Sequence, residues 1–276
     1  MEINKFRDQS HYFRRIGLNA AFSFKCFCNK HDAELFQQIE IEEIDFTNYQ
    51  DLILLPLRSN CNELHRKKVN LKMRELMIEE YSEIHDIKIL TEQNKQEALG
   101  ISDLEKTDYV LWNDVLNSGE SYNFQVREIE KIDICLSAFY NYETTQELLD
   151  YQDEHGMDKE DLADIFVTIF PYKDKTVFVM GYKKEDETQV KHYVNRYFKE
   201  NEKRLLRRLT NLILFRCETW IISEKFYQER IKKCEQYFGH AADYSISNNN
   251  ERRFFKLNLF GVNFNDQISN WWASIN

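Results

Sequence analysis

"DIFVTIFPYKDKTVFVMGY", residues 164–182, is the stretch whose reading decides the fold. Two runs rich in β-branched and aromatic residues, 164–172 and 175–182, flank Lys173-Asp174 close to Pro171. Such a pair of runs around a two-residue polar step predicts a β-hairpin. "IDICLSAFYNY" (132–142) has the same character and supplies a third antiparallel strand. "RFFKLNLFGV" (253–262) alternates and is expected to add a fourth, and "AAFSFKCF" (20–27) reads as a short strand or extended arm.

Most of the remaining chain is helical in pattern. Only 7 Gly and 2 Pro occur in 276 residues, too few breakers for a turn-rich sandwich or barrel. A helix is expected from His31 to about Glu40 with Asp32 as N-cap, and "DFTN" (45–48) supplies the next helix start. The segment from Tyr49 to about Ile84 reads as helix, kinked or interrupted near Pro56. Within it Val69, Met73, Leu76 and Met77 form an apolar stripe beside Arg66, Lys67, Lys68 and Lys72. Helix is expected to end at Gly100 and to restart over 102–119. Leu205, Leu209, Leu212, Ile213, Trp220 and Ile221 follow helical spacing, with a further helix capped by Ser223. The expected class is α+β: mostly helical, with a small antiparallel sheet of about three to four strands packed by long helices. A soft boundary near 120–130 divides a helical region, 1–125, from a sheet-and-helix region, 126–276, unless one core runs through both.

Composition narrows the function classes. Apolar residues make up 42% and aromatics 14%, which fits a folded globular chain. No run of about 18 uncharged apolar residues occurs, so no membrane helix is expected, and "MEINKFRDQSHYFRR" lacks a secretory signal's apolar core. Six irregularly spaced cysteines point to reduced thiols and a cytoplasmic location. The net charge of −10 is uneven: 12 basic and 11 acidic groups in 1–75, 6 and 22 in 76–161, 19 and 14 in 162–276. The acidic middle third repels a phosphate backbone, so nucleic acid can bind only at local basic patches. Two such patches are "RSNCNELHRKK" (58–68), with Arg66 and Lys67, and "KRLLRRL" (203–209), with Arg204, Arg207 and Arg208. The alternative for both is pairing with the acidic third.

"FKCFCNKHD" (24–32) holds the candidate metal ligands Cys26, Cys28 and His31, thiolates and imidazole of the kind zinc prefers. Cys28-x2-His31 is one ligand pair, and a second is not evident, although Cys61 and His65 lie one helical turn apart. Without a metal, Cys28 is a small apolar group and His31-Asp32 a helix entrance. "DEH" (153–155) with "DKEDLAD" (158–164) offers oxygen ligands without the spacing of an EF-hand. Phosphate-loop, dinucleotide, nucleophile-elbow and HExxH signatures are absent. Arg216, Glu218 and Trp220 interrupt an apolar stretch and call for ion pairing or a site, and Trp271 and Trp272 for docking on the body or a partner.

The segment resembles one in uncharacterised bacterial proteins with an F-C-x-x-H-D-x-x-L-F-x-x-I-E pattern, matched here by Phe27, Cys28, His31, Asp32, Leu35, Phe36, Ile39 and Glu40. "PYKDKTVFVMGY" and "NLILFRCETWIISEKFY" resemble further parts of such proteins. The resemblance brings no established activity. It implies a bacterial protein that acts by binding protein partners, an accessory or effector component of a multi-protein system such as phage defence. The same segment resembles the last part of HNH nuclease motifs, with Asn19, His31 and His11 in candidate places. That resemblance implies the competing class, a metal-dependent enzyme acting on nucleic acid.

Overall fold

The computed structural model describes residues 2–3, 13–17, 27–40, 43–80, 87–141, 163–217, 220–239, 241 and 257–275. The chain forms two compact units, a helical unit over Phe24–Tyr122 and a sheet unit made of Met1–Ser23 with Asn123–Asn276. The architecture is α+β and mostly helical, with one antiparallel sheet.

The helical unit contains α1 (Asn29–Glu40), α2 (Tyr49–Glu80) and α3 (Ile87–Asn117). Helix α1 starts two residues before the expected His31. Asp32 lies in its first turn and donates its backbone N–H to the Cys28 carbonyl (2.9 Å), so it is not the cap. Before α2, Asp45 Oδ1 accepts from the Thr47 amide (2.9 Å), and Asn48 Oδ1 accepts from the Gln50 amide (2.9 Å). These side-chain acceptors occupy donors that a helix start leaves unpaired. Pro56 does not interrupt α2. It is buried beside Leu52, Ile53, Leu54 and Leu57, and that burial outweighs a proline cost of about 3 kcal/mol. Helix α3 likewise runs through Gly100, where a break was expected. A mid-helix glycine costs only about 1 kcal/mol, less than the pairing of the two long helices supplies. It stops at Asn117, because Ser118 adopts φ 54°.

The sheet unit is built on seven strands rather than three or four. They are β1 (Glu2–Ile3), β2 (Phe13–Arg14), β3 (Tyr122–Glu130), β4 (Ile134–Asn141), β5 (Asp164–Tyr172), β6 (Lys175–Lys183) and β7 (Trp220–Ile222), in the order β2-β1-β7-β4-β5-β6-β3. The expected hairpin is β5–β6, paired from Ile165↔Tyr182 to Tyr172↔Lys175, with Lys173 at φ 54° in its two-residue turn. Ile165–Ile169 and Thr176–Tyr182 are buried without alternation, the signature of central strands covered on both faces.

Two corrections concern segments at the sheet's margin. Trp220 and Ile221 do not continue the preceding helix. They pair with β4 (Leu136↔Trp220, Cys135↔Ile221), because a three-residue aromatic and β-branched run gains ladder bonds there and buries Trp220 completely. Within the expected fourth strand, residues 257–262 make turns, with Asn258 accepting from the Gly261 and Phe260 amides. Residues 20–26 and 253–256 lie outside the described residues.

One face of the sheet packs on α4 (Glu187–Lys199) and α5 (Glu202–Phe215), with Ile165, Val167, Phe178 and Met180 against Val190, Val194, Leu205 and Leu209 in one cluster. An aromatic group closes another part of this core: Phe13 lies 5.3 Å from Trp220, 5.7 Å from Tyr227 and 5.4 Å from Phe238. Ser223 caps the next helical segment through the Phe226 amide (3.0 Å), as expected. That segment continues as one π-helical stretch over Tyr227–Ile231. Helix α6 (Phe264–Ile275) docks Trp271 5.7 Å from Phe215 and 6.2 Å from the half-buried Trp272.

Candidate functional site

Helices α2 and α3 run antiparallel, and their contacts change character along their length. At one end Tyr49 Oη donates to Asp114 (2.5 Å), a wholly buried carboxylate that also accepts from the Ser121 amide (2.8 Å) and hydroxyl (2.9 Å). Tyr49 Oη in turn accepts from the Tyr122 amide (3.0 Å), and burial with the Asp114 bond pushes its pKa up. Gly119 is required here, because a Cβ would fall 2.4 Å from Asp114 Oδ1. Buried Asp51 accepts from Gln38 and from the Asp45 amide (2.8 Å), which fastens α1 to α2.

Midway sits a polar layer. The wholly buried Asn60 donates to the Leu104 carbonyl (3.2 Å) and to Asp108 Oδ1 (3.1 Å), and the Cys61 thiol lies 3.8 Å from that same oxygen. Burial pushes the Asp108 carboxyl above its usual range. Asn60 Oδ1 and Thr107 Oγ1 are buried without a partner among the described residues. A polar pair inside a helix–helix seam costs stability and specifies one alignment.

Beyond this layer the seam is held by ions. Among the described residues α2 buries no side chain after Asn60, and α3 none before Ile101. Lys67 and Arg74 both reach Glu97, at 3.6 and 2.7 Å, Arg74 Nε donates to Asn94 (2.9 Å), and Lys68 reaches Glu105 (2.6 Å). Asn60, Lys67 and Arg74 face α3, so at 100° per residue Val69, Met73 and Leu76 lie on the opposite side of α2, with Met77 at its margin. These four are 43–54% exposed. The stripe visible in the sequence therefore faces away from the hairpin's own seam.

The candidate metal residues resolve in part. Cys28 Sγ stands 3.3 Å from His31 Nδ1, both exposed at the start of α1, while Phe27 packs 5.8 Å from Phe36 and 6.1 Å from Trp112. Cys26, His11 and Asn19 lie outside the described residues, as do 153–155 and 158–162. Among the described residues no three His, Cys, Asp or Glu side chains converge where a metal would sit. None of the five described cysteines is in a disulfide, and burial pushes Cys135 and Cys234 up to about 12.

The basic candidates divide between the two units. In the helical unit Arg66 pairs with Glu63 (2.5 Å) and Lys67 with Glu63 (3.9 Å) and Glu97, so both are engaged within the hairpin. In the sheet unit Arg208 grips Glu200 through two bonds (2.6 and 2.8 Å) and lies over the Tyr197 ring. Arg208 is thus engaged by a near neighbour. Arg204 and Arg207 make no ion pair among the described residues. Sequence reasoning passed over Asn60, Asp108 and Asp114, because a lone polar residue at a seam position carries no periodic signal.

No family model matches the chain, and no curated protein or solved structure matches it either. Among the described residues no helix is long and apolar enough to cross a membrane.

Proposed function

We propose that this protein acts by binding, as an accessory component in the bacterial cytoplasm, and that the outer half of the α2–α3 hairpin is its docking element. The observation that carries the reading is the row Val69, Met73, Leu76 and Met77, half-exposed on the side of α2 away from α3. The row spans nine residues, about 12 Å of helix. That is too short for a standard interface of roughly 800 Å² per partner, and it suits one amphipathic helix of a protein partner crossing α2. Two methionines favour such a contact, since their unbranched side chains adapt to a ridge of varied shape.

The test places a photo-crosslinking residue at Leu76 and, as control, at Leu116, an exposed leucine on α3, in the native host. An identified protein captured only from Leu76, whose purified form loses at least tenfold affinity for the Met73→Glu/Leu76→Glu variant, meets the expectation. Equal capture from both positions, capture of a second copy alone, or unchanged affinity of the double variant overturns it.

A second reading, a metal-dependent enzyme acting on nucleic acid, rests on the 3.3 Å approach of Cys28 to His31. Two ligands hold zinc weakly, whereas structural sites use four. Metal analysis of the dialysed protein decides it: stoichiometric zinc lost in both Cys28→Ser and His31→Ala favours the second reading, and a metal-free folded protein removes it.

A further inference from the structure

The chain's net charge is −10, yet residues 196–208 carry six cations and two carboxylates. One pair is spent internally, Arg208 on Glu200. Arg127 sits beneath the same corner and donates to the carbonyls of Tyr197 (3.2 Å), Phe198 (3.4 Å) and Glu200 (2.7 Å), which fixes the end of α4. On this braced corner Arg196, Lys199, Lys203 and Arg204 are exposed, and with Arg207 they make no ion pair among the described residues. Among the described residues Arg196 hydrogen-bonds to His192 (2.7 Å), and Arg196 and Arg204 help to hold the Glu200 carboxyl down.

Two features set this patch apart from an ordinary solvated face. Lys203 and Arg204 occupy the first turn of a 14-residue helix, where the backbone dipole disfavours cations and favours an anion. Arg207 is partly buried, and its Nε is buried without a hydrogen-bond partner among the described residues. The dipole cost is relieved by an external anion.

We infer that the α4–α5 corner binds the phosphodiester backbone of a nucleic acid. Lys203, Arg204 and Arg207 lie within about 6 Å along the axis of α5, with Lys199 and Arg196 preceding them on α4. A short row of closely spaced cations, three of them arginines with a planar fork, matches repeated phosphates better than isolated carboxylates. This corner belongs to the sheet unit and is independent of the docking row on α2.

Fluorescence anisotropy with mixed-sequence single-stranded 12-mers of DNA and of RNA tests the inference, titrated from 50 to 200 mM salt. Four phosphate contacts give a slope of log affinity against log salt of about −3, since each contributes about −0.7 on single strands. The exposed triple variant Lys199→Gln/Lys203→Gln/Arg204→Gln is expected to lose at least tenfold affinity and to flatten the slope by about 2, with an unchanged melting curve. Arg207→Gln is read separately because its partial burial ties it to folding. Preference between the two 12-mers identifies the sugar. No binding at 50 mM salt, undiminished binding by the triple variant, or equal binding of polyglutamate overturns the inference.

Discussion

The β5–β6 hairpin and the outer half of the α2–α3 hairpin are both antiparallel pairs, yet they are held by different forces. In the first, Ile165–Ile169 and Thr176–Tyr182 are out of water on both faces. In the second, no described side chain is fully buried and the seam is closed by Lys67, Arg74 and Glu97. Burial at roughly 25 cal/mol per Å² stabilises the strands strongly, whereas ion pairs that keep some contact with water contribute only about 0–1 kcal/mol each. A segment held that loosely is free to present apolar residues outward, which a core element cannot do without losing its core. The exposed apolar row and the weakly held seam are thus two aspects of one arrangement.

The contrast is most severely tested by amide hydrogen exchange. Amides of β5 and β6 are expected to exchange only on global opening, and those of Lys67–Glu80 several kcal/mol more easily. Equal protection would mean that the outer hairpin has a core. Next in size is the response to truncation: Trp220→Ala, at a wholly buried site, is expected to cost about 3–5 kcal/mol in chemical denaturation, and Leu76→Ala less than about 0.5 kcal/mol. Asp114→Ala removes the acceptor of the Tyr49 hydroxyl and of both Ser121 donors and is expected to cost about 1–3 kcal/mol, with Tyr49→Phe costing less because it removes the acceptor of the Tyr122 amide alone and leaves Asp114 its two Ser121 donors.

The smallest effect is in pH dependence, where the two units respond with opposite sign. The Arg208 fork holds Glu200 below the usual carboxylate range, so its contribution is present above pH about 4.3 and is lost as pH falls through the lowered folded value. Glu200→Gln is therefore destabilising at pH 7, and its deficit shrinks as pH falls below about 4. Burial raises Asp108, so its charged form is a burden that appears as pH rises through the raised value. Asp108→Asn is expected to stabilise at pH 7 and to be neutral near pH 3, and denaturation midpoints at the two values check both signs.

Much of the fold was legible. "DIFVTIFPYKDKTVFVMGY" is a hairpin at the expected register because β-branched runs around a polar step leave few alternatives. Ser223 caps its helix because a hydroxyl before an acidic first turn has a local partner. The misread elements depend on distant contacts. Trp220–Ile222 has helical spacing with Leu205–Ile213, and only β4's free edge makes it a strand. Pro56 and Gly100 punctuate the sequence but not the helices, because the packing of α2 on α3 exceeds the local cost.

For the candidate sites the sequence by itself determined residue chemistry and periodicity: a Cys-His pair, a stripe of four apolar residues on one helical face, and a surplus of cations in 196–208. These are local properties, carried by spacing along the chain. Tertiary structure alone decided that the stripe faces away from α3, that Lys67 reaches Glu97 and Arg208 is engaged by Glu200, and that Arg204 and Arg207 make no ion pair among the described residues. The reason is that exposure and pairing are set by which other surface arrives opposite a residue, and for α2 that surface lies some 20–50 residues further along the chain.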